Sequence, residues 1–482
     1  MTDRYLNVIG GETADSPNVT ANINPSDTND VIGEFAQASR DDVDAAARAA
    51  REAFPVWSRT TPAERYEVLK RASDEVLARK EELGELLSRE EGKTRAEGVG
   101  EVTRAGQLLA FFAGEALRIA GEIVPSVRPG VTVEITREPV GVVGVITPWN
   151  FPVAIPAWKI APALACGNSV VFKPAELVPA SAWALVDILR RAGLPDGALN
   201  LVMGKGSVVG QAIAEHPDVA AVTFTGSVAT GRHVAATCVT SQPMKKTQLE
   251  MGGKNPLVVL DDADLETAVE CAVNGAFFST GQRCTASSRL IVADGIHDDF
   301  VAAVTRRLES LTVDHALKEG THIGPVIDES QLEKDLEYIR VGQDEGARLH
   351  WGSERLTRDT PGHYLQPALF TGVDNSMRIA REEIFGPVAA VIRVKDYDEA
   401  LAVANDTGYG LTAGICTSSL KYASDFRRNA QAGLTMVNLP TAGLDYHVPF
   451  GGTKDSSYGP REQGRYAVEF YTSVKTSYVR PV

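Results

Sequence analysis

VVGVITPWNFPVAIPAWKIAPALACGNSVVFKPAE, residues 142–176, decides the fold class. Its apolar run at 142–146 reads as a short strand, 153–165 as a helix and 169–172 as a second strand. Outward from it the texture repeats. Strands at 198–202 and 220–224 alternate with helices at 181–192, 207–215 and 227–236. Strands alternating with helices of this size imply βαβ units on a parallel sheet. A second series opens at Asn255 with NPLVVL, a helix over 265–278, SRLIVAD (288–294) and a helix over 298–311. PALFTGV (367–373), AAVIRV (389–394), a helix at 398–405, GLTAGICT (410–417), a helix near Ser424 and LTMVNL (434–439) continue it. The expected class is therefore α/β, two layers in tandem with a boundary near residues 252–254.

The first 120 residues read as mostly helical. Asp41 and Asp42 precede an Ala-rich stretch to Phe54, acids suited to a helix N-terminus. Thr60-Thr61-Pro62-Ala63-Glu64 reads as a cap with proline in the first turn, opening a helix to about Lys80. A third helix is expected over 93–120. VTVEITR (131–137) alternates as a half-buried strand, and so does the tail EFYTSVKTSYVRPV (469–482). These two strands can pair with each other, across subunits included.

The 482 residues predict two or three domains. Hydrophobic residues at 44% and charged residues at 23% are ordinary for a globular chain, which argues against extended disorder. With 48 basic against 63 acidic residues the net charge is −15, which argues against nucleic acid or an anionic membrane as partner. Only 15 of the basic residues are Lys, a balance that fits either a GC-rich genome or a salt-loving host. Five scattered cysteines without a CxxC pair suit a reducing compartment. The N-terminus has no basic-then-apolar signal, and no apolar run nears the ~20 residues of a membrane span. The eight histidines lack HxxxH or HExxH spacing, so no metal is expected. A cytoplasmic location is the expectation.

Six segments could carry chemistry. Cys284 closes Ser279-Thr280-Gly281-Gln282-Arg283-Cys284 just after an expected helix, and Arg283 beside it could depress the thiol pKa. A lone cysteine is more often a small buried hydrophobe, and that reading suits Cys166, Cys238, Cys271 and Cys416. Glu250, followed by Met251-Gly252-Gly253, is a carboxylate at a strand end with room for water, as a general base requires. Asn150, after Thr147-Pro148-Trp149, could donate to an oxyanion, although an asparagine there is commonly a helix cap. Phe224-Thr225-Gly226-Ser227 makes a strand, a glycine turn and a helix start, which would suit a pyrophosphate. Gly204-Lys205-Gly206-Ser207 with Gly210 is a near miss to GxGxxG and weak alone. Lys173 and Glu176 end a strand where a doubly wound sheet binds ligands.

In order, TPWNFP (147–152), KPAE (173–176), FTGS (224–227), LEMGGKNP (249–256), GQRC (281–284), EEIFGPV (382–388) and PFGGTKDSSYG (449–459) resemble the aldehyde dehydrogenase superfamily over essentially the whole chain. The resemblance implies Cys284 as nucleophile, Glu250 as general base, and Asn150 with the Cys284 N–H as oxyanion hole. It assigns Lys173 and Glu176 to the adenosine ribose, Gly226 and Ser227 to the pyrophosphate, and Glu383 to the nicotinamide ribose with Phe385 beside the ring. Thr147, Trp149 and Gly206 would line the cofactor cleft. It also implies three parts: a Rossmann-like NAD(P)-binding domain (1–121 and 142–253), a catalytic domain (254–442) and a β oligomerisation element (122–141 and 463–482). A homodimer or homotetramer follows from the last. Acylating members, which release the thioester to coenzyme A, generally lack the glutamate matching Glu250, so hydrolysis is expected here.

Segments 153–177 and 438–464 are most similar to the α-ketoglutaric semialdehyde (2,5-dioxopentanoate) dehydrogenases of pentose and sugar-acid degradation. Some members grip the substrate carboxylate with an arginine where this chain has Trp158. Arg283, His447 and Arg461 are the replacement candidates. Succinate semialdehyde, a betaine-type aldehyde and a broad aliphatic range are the other substrates the resemblance admits. A catalytically silent structural relative is disfavoured, since that role requires neither Cys284, Glu250 nor Asn150. The cofactor is NAD or NADP, and the acid at Glu176 tilts slightly toward NAD by repelling a 2′-phosphate.

Overall fold

The computed structural model describes residues 3–481. Residues 1, 2 and 482, at the ends of two of the expected segments, lie outside them. Val142–Ile146 is buried along its whole length and sits centrally in an eight-stranded sheet. Five parallel strands run in the order Lys246–Glu250, Val219–Thr225, Val142–Ile146, Ser169–Lys173, Leu199–Leu201. Short antiparallel strands close both edges, Ser457–Tyr458 at one and Asn7–Ile9 with Glu12–Ala14 at the other. The chain thus leaves the centre in one direction and returns to continue in the other. The crevice at the carboxyl ends of Val142–Ile146 and Val219–Thr225 is a topological switch point, where such sheets bind ligands. Gly144 is required in that central strand, because a Cβ there would collide with Ile213.

The second sheet has seven strands in the order Arg348–Gly352, Ala368–Thr371, Val388–Val394, Ser287–Ala293, Asn255–Val259, Thr412–Cys416, Leu434–Val437. All pair in parallel except the first, at the edge. A third sheet joins Glu122–Pro125, Thr132–Pro139 and Thr472–Val479. The two alternating strands therefore pair with each other, and within one chain, along eight residues from Thr472–Pro139 to Val479–Thr132.

Two sequence expectations are corrected. The first 36 residues are largely strand, with Val19–Asn24 and Asp27–Ala36 as an antiparallel pair. The helix expected over 207–215 opens with a π turn, Gly206–Gly210, and becomes α only at Gln211–Glu215. Three helices begin as their sequences dictate: Ser39 with Asp42, Thr61 with Glu64 and Thr94 with Glu97 each form a reciprocal capping box. No helix among the described residues is long and apolar enough to cross a membrane.

The helix Ala154–Ala165 is buried at every position, wedged between the first sheet and the helix Arg95–Ala116. Its single charge, Lys159, cannot stay buried without partners. Its Nζ finds Glu462 and, at 2.8 Å, Thr223 Oγ1.

Candidate active site

Cys284 lies in the segment between the short 3₁₀ turn Phe278–Gly281 and the strand Ser287–Ala293. Ser279, Thr280 and Gly281 take consecutive φ values of 50°, 56° and 66°. Two non-glycine residues in the left-handed region are a strained local path that the surroundings must enforce. Glu97 supplies the enforcement. One of its oxygens closes the Thr94 capping box, and the other accepts from Ser279 N at 2.8 Å, Ser279 Oγ at 3.0 Å and Arg283 at 3.2 Å. On the far side Asn255 Nδ2 donates to the carbonyls of Cys284 (2.8 Å) and Ala286 (2.9 Å).

Of the five cysteines only Cys284 is not fully buried, and none is disulfide-bonded. It is also the one residue shared by two cavities. One, of about 300 Å³, is lined by residues including Lys93, Arg104, Phe151, Trp158, Arg283 and Phe450. The other, of about 210 Å³, is lined by Asn150, Trp149, Gly252, Glu383 and Phe385. Through Trp149, Gly226 and Ser227 this second cavity continues into a cleft of about 1020 Å³ at the switch point. Thr147, Lys173, Glu176 and Gly206 line that cleft.

The cleft suits a dinucleotide. The hydroxyls of Thr147 and Thr225 are buried in its wall without a partner, so polar groups stand there unsatisfied. A Cβ on Gly206 would meet nothing within 4 Å, whereas one on Gly226 would strike the Phe224 ring, which keeps the turn thin. Ser227 caps the helix Val228–Thr240, and the first N–H groups of such a helix are suited to an anion. Glu176 Oε1 accepts from Gly206 N at 2.9 Å. Burial brings Lys173 down to about 8, partly offset by Glu176. Glu383 accepts from Gly253 N at 2.9 Å, and burial raises its pKa. Phe385, held at φ 68°, meets Trp149 edge-on with ring centres 5.3 Å apart.

Glu250 ends the strand Lys246–Glu250 and accepts from Ser457 Oγ. Its pKa is raised well above the usual carboxylate range, first by burial and then by neighbouring Glu462. Asn150 is buried, and its Nδ2 donates to the Gln282 carbonyl at 3.0 Å, which leaves its second N–H free. Lys93 fixes the Asn150 backbone by donating to its carbonyl.

Three sequence expectations change. Arg283 does not depress the Cys284 thiol: its guanidinium is turned to Glu97, and burial, then Glu383 and Glu250, push the thiol up to about 12. His447 is exposed and edge-on to Tyr446, and is not among the residues that line the cavity beside Cys284. Arg461 donates to the Gly452 carbonyl on the Glu250 side. Trp158 does line that cavity, stacked obliquely on Phe450. Sequence reading overlooked Glu97, Arg104, Asn255 and Lys159. The lone Lys159 in an otherwise apolar helix was the available signal. The other three act through contacts with segments distant in sequence. Among the described residues, no group of three or more His, Cys, Asp or Glu could hold a metal.

The profile of the aldehyde dehydrogenase family matches residues 12–477. The α-ketoglutaric semialdehyde dehydrogenase of Bacillus subtilis is 45% identical, covering 99% of this chain and 98% of that protein. The 2,5-dioxopentanoate dehydrogenase of Saccharolobus solfataricus is 42% identical over 99% and 98%. The solved structure of betaine aldehyde dehydrogenase from Staphylococcus aureus in complex with NAD+ superposes with a TM-score of 0.96 at 34% identity, covering 98% of this chain and 95% of that one. The chain belongs to the aldehyde dehydrogenase family.

Proposed function

We propose that this enzyme oxidises 2,5-dioxopentanoate to 2-oxoglutarate through a thioester on Cys284, with NAD preferred to NADP. The observation that carries the reading is the place of Cys284: its sulfur-bearing residue is the meeting point of a dinucleotide-sized cleft and a separate chamber with cationic walls. The two semialdehyde dehydrogenases that resemble the chain over its full length point to the same substrate.

In this reading Cys284 gives up its thiol proton to water as its sulfur adds to the aldehyde carbon, and the carbonyl oxygen becomes an alkoxide. The free Asn150 N–H and the Cys284 backbone N–H hold that charge. A bound nicotinamide dinucleotide supplies the hydride acceptor. Collapse of the adduct leaves the acyl group as a thioester on sulfur. Glu250 then takes a proton from water, whose oxygen attacks the thioester carbon, and the carboxylate departs as the Cys284 sulfur is released. A base with a raised pKa is matched to this task, since proton transfer is most effective when its pKa lies near the working pH. Lys173 and Glu176 would hold the adenosine ribose, Gly226 and Ser227 the pyrophosphate, and Glu383 the nicotinamide ribose. The hydrogen bond from Gly206 N fixes Glu176 in place, so a 2′-phosphate would meet a carboxylate that cannot easily turn aside.

Steady-state kinetics with 2,5-dioxopentanoate, succinate semialdehyde, betaine aldehyde and propanal, each with both cofactors, test the reading. The highest kcat/KM is expected for 2,5-dioxopentanoate with NAD. A value for it no better than for propanal overturns the substrate. We also infer a cytoplasmic homo-oligomer, supported by apolar side chains left exposed on the three-stranded sheet.

A further inference from the structure

A semialdehyde of this class carries a carboxylate at the end remote from the reacting carbon, and that charge needs a counter-ion in the chamber beside Cys284. Three cationic side chains line it. Lys93 is already saturated: its Nζ donates to Glu101 at 2.9 Å and to the Asn150 carbonyl, and lies 3.7 Å over the Phe151 ring. Arg283 is paired with Glu97 at 3.2 Å. Arg104 is different. Among the described residues no carboxylate lies within 4.0 Å of it; its guanidinium donates to the Leu444 carbonyl and, at 3.0 Å, to Gln463 Oε1. Both acceptors are neutral, so they orient the fork without cancelling its charge.

Three N–H donors at this wall, one of them its own, have no acceptor. Arg104 Nε, Trp158 Nε1 and Gln463 Nε2 are all buried and unpartnered, and the Trp158 and Gln463 side chains are themselves only 6% and 0% exposed. Unsatisfied buried donors are rare and call for an explanation. Here they share a chemistry and a neighbourhood: all are N–H groups, one belongs to a cation without an ion-pair partner, and all belong to residues lining one cavity. That is the complement of an anionic oxygen pair, which binds a guanidinium fork bidentately. Glu101 and Asp445 act on Arg104 electrostatically from beyond ion-pair distance, and Cys284 lies within the same reach.

We infer that Arg104, oriented by Leu444 and Gln463 and assisted by the Trp158 indole N–H, is the specificity-determining residue that binds the remote carboxylate of the substrate. The inference rests on the semialdehyde reading above and deepens it. It replaces Arg283, His447 and Arg461, and explains how Trp158 can stand where other members carry an arginine: the positive charge comes instead from the helix Arg95–Ala116, while the indole contributes a donor.

The test compares kcat/KM for 2,5-dioxopentanoate and for pentanal in the wild type, Arg104→Met and Arg104→Lys. The ratio of the two is expected to fall by about 30-fold or more in Arg104→Met, mainly through KM for the charged substrate, because a charge-assisted pair is lost. Arg104→Lys restores the charge but not the fork, and should recover part of the ratio. As a direct readout, 2-oxoglutarate should slow alkylation of wild-type Cys284 by iodoacetamide and protect Arg104→Met at least tenfold less well. A wild type that prefers 2,5-dioxopentanoate, with a ratio unchanged in Arg104→Met, overturns the role of Arg104 alone. A wild type without that preference overturns the semialdehyde reading and this inference with it. An equal fall on both substrates in both variants makes Arg104 a structural residue and also overturns it.

Discussion

Glu250 is one of the carboxylates that make ionisation of the Cys284 thiol harder, and its own ionisation is disfavoured in turn by its surroundings. The thiol stands at about 12 because it is buried and faces Glu383 and Glu250. Glu250 is raised by its own burial and by Glu462. A base must be deprotonated to work, so activity is lost as pH falls through the Glu250 pKa. The acidic limb of kcat should therefore lie well above the ~4.3 of an ordinary glutamate. Glu250→Gln removes the base while sparing attack and oxidation. We expect a pre-steady-state burst of reduced dinucleotide near one per active site, followed by turnover slowed on the order of 10²–10³-fold, within the usual range for a lost general base. Stopped-flow absorbance reads both phases. Absence of a burst together with normal turnover would assign the water-activating role elsewhere.

The strained turn at 279–281 stands only because the N-terminus of the helix Arg95–Ala116 grips it. Glu97 serves two structures at once, the helix cap and the cysteine segment. Glu97→Ala removes the capping partner and leaves the Ser279 N–H without its acceptor; a buried donor so stranded costs about 1–3 kcal/mol. Chemical denaturation should show a loss of about 2–3 kcal/mol when a weakened cap is added, and kcat should fall as the sulfur loses its fixed position. Unchanged stability would mean that the turn holds itself. Elements of this kind were unevenly legible. Thr61-Pro62 and Thr94 with Glu97 announce helix starts through local spacing, and the buried run Val142–Ile146 announces a central strand. Val19–Asn24 and Asp27–Ala36 do not, because their polar residues suit a turn as well as a two-sided strand pair. The helix Glu329–Asp344 has an Asp328 cap and buried Leu332, Asp335 and Ile339, a single thin stripe that is easily missed in a charged segment. Cys284, Glu250 and Asn150 could be chosen from their motifs. Arg104 could not, since its distinction is the absence of a carboxylate beside it, a fact that exists only once the chain is folded.

At the scale of the whole molecule, the three-stranded sheet is too small to bury its own apolar residues. Ile123 is 75% exposed, and Val474 and Tyr478 are each 61% exposed on a surface otherwise rich in charge. Ile123 stands on one outer strand of the sheet and Val474 and Tyr478 on the other, and large apolar side chains so exposed are the kind a partner covers. The double variant Ile123→Lys/Val474→Lys should shift the particle from oligomer to monomer in light scattering coupled to gel filtration. An unchanged mass would place the association surface elsewhere. The net charge of −15 sets no such surface and does not attract an anionic substrate; local donors such as Arg104 must do so against the general field. Of the residues that line the dinucleotide cavity and the aldehyde chamber, Cys284 alone belongs to both. An acyl chain tethered to its sulfur occupies one room and leaves the other vacant. A dinucleotide held on that side would leave through the cleft continuous with it, and the space it gave up would be open to water beside Cys284.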